Sequence, residues 1–126
     1  MGTIHQWAWN QAINANTEQN IPEGWSASGT NGHVRVMECV LLAFGLIADQ
    51  DTRITVVGTF TGDLSPTWDT MLQVTATAGT YYTPYSLAAP LNNTGAYVIT
   101  RPIIKIMLKN VTGTNQTYCR FYAKAW

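Results

Sequence analysis

Charge is scarce in this chain. Only 11% of its 126 residues are Asp, Glu, Lys or Arg, against roughly 25% in an average soluble domain. The two histidines, His5 and His33, are far apart and lack metal-ligand spacing to either cysteine. No G-x-S-x-G elbow and no phosphate-cradling glycine loop occurs. The carboxylates Glu18, Glu23, Glu38, Asp49, Asp51, Asp63 and Asp69 mostly fall at turns. There they read as solvated or backbone-bonding groups rather than a glycosidase pair or a calcium cage. These absences point away from an enzyme and from any cofactor or metal. Two cysteines, Cys39 and Cys119, are too few for a disulfide framework. They read as buried free thiols of a protein made in reducing cytosol, with a single bridge as the alternative. No basic cluster suits nucleic acid. The opening residues lack a signal peptide's basic and apolar regions. The longest apolar stretch, residues 39–48, is too short to span a bilayer, so no membrane role is expected.

What the chain does contain is strand text. Residues 53–61 alternate Ile54, Val56, Gly58 and Phe60 with Thr55, Val57, Thr59 and Thr61. Residues 103–109 set Ile104, Ile106 and Leu108 against Lys105, Met107 and Lys109. Residues 116–124 send Thr117, Cys119, Phe121 and Ala123 one way and Tyr118, Arg120, Tyr122 and Lys124 the other. Period-two alternation marks strands with one buried face. Further strands are expected over 33–46 and 68–77. Pro84 makes the Tyr81, Tyr82, Tyr85 stretch an edge strand or loop. Turn text recurs at roughly ten-residue spacing, as in an antiparallel β-sandwich or small barrel. Thr112-Gly113-Thr114-Asn115 reads as a hairpin joining the last two strands. Glu38, among Val34, Val36 and Val40, needs either a basic partner or a bulge that turns it to solvent.

The text before residue 33 is polar and irregular, so the chain divides into an N-terminal arm, 1–32, and a β-sandwich, 33–126. Within the arm, residues 3–9 suit a short strand and 11–19 are at best weakly helical. Trp7, Trp9 and Trp25 either dock on a partner or cap the core of their own domain. With Tyr81, Tyr82 and Tyr85 they are the candidate interface residues. Trp68 and the Tyr81–Tyr85 stretch also suit a sugar-stacking platform, the competing assignment. Charge is uneven: residues 1–70 hold seven acids and two bases, and residues 71–126 hold five bases and no acid. The halves either form oppositely charged faces or interleave and mix their signs.

The run Ile54-Thr55-Val56-Val57-Gly58-Thr59-Phe60-Thr61-Gly62, then Trp68 and its strand, Gly95-Ala96-Tyr97-Val98-Ile99 with Arg101, and the closing pair of strands carry a resemblance. They resemble small β-sandwich virion proteins of tailed phages, over roughly the last three fifths of the chain. The Ser-Asn-Asp-Gly text often found before the Trp in that group is replaced here by Gly62-Asp63-Leu64-Ser65-Pro66. The resemblance implies a non-enzymatic virion component, a head decoration (cement) protein or a fibre accessory module. It would be made in host cytoplasm and bound to the major capsid protein or other virion proteins, as a homo-oligomer or docked on a lattice.

Overall fold

The computed structural model describes residues 5–21, 33–35, 41–59, 68–79, 97–98 and 103–125. At 33–35, 41, 97–98 and 103 it describes the backbone alone. All its regular elements are strands: β1 (His5–Asn10), β2 (Glu18–Asn20), β3 (His33–Arg35), β4 (Leu41–Ala48), β5 (Thr52–Thr59), β6 (Asp69–Ala76), β7 (Tyr97–Val98), β8 (Ile103–Asn110) and β9 (Cys119–Ala125). They form two antiparallel sheets. Sheet A runs β1-β9-β4-β7; sheet B runs β2-β8-β5-β6, with β3 also on β8. The fold is an all-β sandwich.

Alternation explains how the two sheets close on each other. Sheet A turns Trp7, Leu42, Phe44, Leu46, Cys119, Phe121, Ala123 and Ala125 inward; sheet B supplies Ile54, Val56, Ile104, Ile106 and Leu108. Small Ala123 and Ala125 leave room for Trp7 and Phe44, so large and small side chains fill one layer between the sheets. Hiding this apolar area is the main favourable term for the fold.

The expected arm is different where the structure describes it. Residues 5–21 are part of both sheets. β1 pairs with β9 from His5↔Ala125 to Asn10↔Arg120. β2 pairs with β8 through Glu18↔Lys109, and the Ile21 N–H continues to the Ile106 carbonyl at 2.9 Å. Ile13 and Ile21 are fully buried in the common core. The physical reason is spacing. Single apolar residues set among polar ones carry no visible period, yet each fills one hole. The weak helix suggested over 11–19 is absent; a turn over 14–17 stands there, with Asn16 at φ 53°.

The expected closing hairpin is also different. β8 lies in sheet B and β9 in sheet A, so residues 111–118 cross from one sheet to the other. β4 and β5 are joined the same way across Asp49-Gln50-Asp51. Alternation fixes which way side chains face but not which sheet a strand joins. The β5–β6 ladder carries a register shift between Val56 and Val57. Met71 is the extra residue there, a β-bulge on the sheet's last strand.

Candidate functional site

The two crossings meet at one end of the sandwich, where residues 13–17 join them. This end holds the richest polar constellation among the described residues. Asn110 is fully buried. Its Nδ2 donates to the carbonyls of Ile13 (3.1 Å) and Thr114 (2.7 Å), and its Oδ1 accepts from the Thr112 N–H (3.0 Å). Gln116 is buried beside it. Its Oε1 accepts from the Ile13 N–H (2.9 Å) and its Nε2 donates to Thr52 Oγ1 (2.6 Å). The Thr52 hydroxyl in turn donates a hydrogen bond to the Gln50 carbonyl (2.9 Å). Asn115 Oδ1 holds the Ala15 N–H at 2.8 Å. Both buried amides thus have donor and acceptor engaged, as burial of a polar group demands.

Asp49 and Asp51 complete this end as backbone acceptors. Asp49 Oδ1 takes the Thr117 N–H (2.9 Å) and Oδ2 the Thr117 hydroxyl (2.7 Å). The Thr117 hydroxyl bond, aided by the backbone donors, holds the Asp49 carboxyl below the usual carboxylate value. Asp51 Oδ1 takes the Ala78 N–H (2.8 Å), and Gly79, at φ 73°, donates its N–H to the Ala48 carbonyl (2.7 Å). Cys119 lies below, free and buried. Burial, with the nearby Asp49 charge, pushes its thiol up to about 12. A thiol so protonated is a poor nucleophile. This constellation ties strands together; its groups are engaged with one another rather than aimed at an open site. Among the described residues, no three or more His, Cys, Asp or Glu are grouped to hold a metal. No helix there is long and apolar enough to cross a membrane.

The candidate interface residues separate. Trp7 is 0% exposed, and Trp9 packs half-buried against the same core, with its indole N–H donated to the Gln11 carbonyl at 2.8 Å. Trp7 is therefore part of the molecule's own interior, and Trp9 packs partly against it. Trp25, Tyr81, Tyr82 and Tyr85 lie outside the described residues, as do Glu38 and Cys39. Trp68 is half-buried on sheet B, with the Lys105 ammonium 4.6 Å from its ring centroid, a cation–π contact. The outer face of sheet B mixes signs: Glu18, Lys109 and Arg53 are cross-strand neighbours, and Arg53 Nη2 lies 3.6 Å from Glu18 Oε2.

The outer face of sheet A is a surface the candidate residues do not include. The register sets three rows across β1, β9 and β4: Gln6–Lys124–Ala43, Ala8–Tyr122–Gly45 and Asn10–Arg120–Ile47. Tyr122 is 45% exposed, and Tyr118, one residue before β9, is 36% exposed. The outward column along β9 therefore reads Tyr118, Arg120, Tyr122, Lys124, aromatic and cationic in turn. The alternation of residues 116–124 contains this column, but nothing in it says which strands lie alongside.

No family model and no curated protein matches the chain. Among solved structures, the fold is similar to that of the PBSX exported protein XepA, with a TM-score of 0.66 at 12% sequence identity. The match covers 96% of this chain and 36% of that one, so this chain spans little more than a third of the length of that protein; what the two share is the β-sandwich fold.

Proposed function

We propose that this chain is a non-enzymatic structural component of a phage particle. It docks on the major capsid protein or on neighbouring subunits as a head decoration, fibre or tail accessory module. The observation that carries this reading is the sheet edge. Among the described residues β6 is the eight-residue strand at the end of sheet B, with Asp69 its only charge and no proline or lysine. Natural edges are usually blunted by such residues or by a bulge; β6 has the bulge at Met71 but none of those residues, and beyond it residues 72–76 run in regular register. An edge without them suits strand addition by a partner, and many copies on a lattice multiply a weak contact. The scarcity of charge suits a surface that is covered in use. The fold it shares with XepA occurs there within a longer chain, as befits a unit that works beside others. Because residues 5–21 are sheet and core, the docking contact is assigned to the edge rather than to an N-terminal arm.

The test is co-sedimentation of the purified protein with particles lacking it. Thr70→Lys with Thr75→Lys charges two exposed positions of β6. The pair is expected to leave the thermal midpoint within a few degrees and to reduce particle binding at least tenfold. Unchanged binding by this variant refutes the edge as the contact. A carbohydrate- or receptor-binding module of a tail or fibre is the second reading, favoured by the exposed tyrosines of sheet A.

A further inference from the structure

We propose that the outer face of sheet A binds an acidic polysaccharide, a chain of carboxylate-bearing sugars lying along β9. This rests on the geometry of that face and is independent of the particle-docking reading.

The column Tyr118, Arg120, Tyr122, Lys124, which begins one residue before β9, sets aromatic and cationic groups in turn, two positions apart. Neighbours in it are about 7 Å apart, and the column is about 20 Å long. The central ring has room. Its cross-strand neighbours are Ala8 and Gly45, so no side chain larger than a methyl group stands directly beside it on either side. The cations on each side of it have carboxamides as neighbours: Gln6 beside Lys124 and Asn10 beside Arg120. Both amides are exposed.

Charge identifies the partner's sign. Three of the four described carboxylates lie off this face: Glu18 and Asp69 belong to sheet B, and Asp51 bonds the Ala78 N–H. Asp49 closes the face at the Tyr118 end, with its oxygens held by Thr117 and Tyr118. Among the described residues Arg120 and Lys124 outnumber Asp49 on this face, so it is cationic on balance and complements an anion.

Area and chemistry identify the class. Among the described residues the four strands of the sheet, about 4.8 Å apart, and 20 Å of column make a face of at most about 400 Å². That is well short of the roughly 800 Å² per partner of a stable protein pair. A linear polymer fits it. Aromatic ring faces carry negative charge density and receive the electropositive C–H face of a sugar ring. The Arg fork matches a carboxylate through two parallel hydrogen bonds, and amides read hydroxyl pairs. Two column cations are few for single-stranded nucleic acid, whose affinity grows with the phosphates neutralised.

Titration calorimetry with a short oligogalacturonate, a neutral glucan of equal length and oligo-dT tests this. The acidic sugar is expected to bind saturably, at least tenfold tighter than the glucan. Tyr122→Ala is expected to weaken it tenfold or more, and Tyr122→Phe to retain it. Arg120→Ser with Lys124→Ser should weaken it tenfold and flatten its salt dependence. Lys109→Ser, on the opposite sheet, should leave it unchanged. Thermal midpoints show that each variant is folded. The proposal is overturned by absence of saturable binding to the acidic sugar up to millimolar concentration. Equal binding of the glucan, tighter binding of oligo-dT, or an equal loss in Lys109→Ser also overturns it.

Discussion

Trp7 is fully buried under sheet A, and among the described residues its indole N–H meets no acceptor. Trp7→Ala removes both the packing and the orphaned donor. It is expected to destabilise the fold by about 3–5 kcal/mol. Trp7→Phe discards the donor and keeps most of the ring, so it should cost clearly less; urea midpoints rank the two. Asp49 sits at the other extreme, on the surface. Its folded value lies below the ordinary 3.8 because Thr117 and the backbone bond its ionised form. A carboxyl depressed in this way adds stability above its unfolded value and loses it as pH falls through the folded one. Wild type should therefore exceed Asp49→Asn in thermal midpoint at pH 6, and the gap should narrow below pH 3.8. A gap of equal size at both pH values would refute the bonded carboxylate. Cys119, with its thiol near 12, should resist alkylation at pH 8 in the folded protein and react after denaturation. Peptide mapping of the label reads this directly.

The strands themselves were largely legible. β5, β8 and β9 show plain alternation, and the residues expected inward on 103–109 and 116–124 are those buried, except that Thr117 is exposed and Gln116 is buried in its place. Thr117 departs because it lies before β9, in the crossing, where its hydroxyl caps Asp49. Hairpin and crossing were not distinguishable, since Thr112-Gly113-Thr114-Asn115 suits either path. What decides is the partner ladder: β9 meets Leu42–Ala48 on one side and β1 on the other. Those are contacts between residues far apart in the chain, and no local text records them. The crossings depend on Asn110 and Gln116, whose signal was equally hidden, because a polar residue at a strand end looks like any loop residue. Each is expected to cost about 1–3 kcal/mol when changed to Ala, for buried partners are left unpaired. Both reach Ile13, one through its carbonyl and one through its N–H. The double variant should therefore depart from additivity, a coupling that a denaturation cycle measures.

As a body, the molecule joins its early and late segments. β1 and β2, from the first twenty residues, lie against β9 and β8, from the last two dozen. The uneven charge of the sequence is accordingly interleaved on sheet B, where Glu18 and Arg53 meet, while sheet A's outer face stays cationic on balance among the described residues. A fragment beginning at residue 33 would lose Trp7, Ile13 and Ile21 from the core. It is expected to show no cooperative thermal transition by circular dichroism; a stable fragment 33–126 would restore the arm.

His5 stands directly opposite Ala125 in the ladder, and antiparallel neighbours of this kind are only about 5 Å apart. A peptide linker of a few residues between His5 and Ala125 would suffice to join these two strands without disturbing either sheet. New ends opened at an exposed turn elsewhere would give a permuted chain with the same interior.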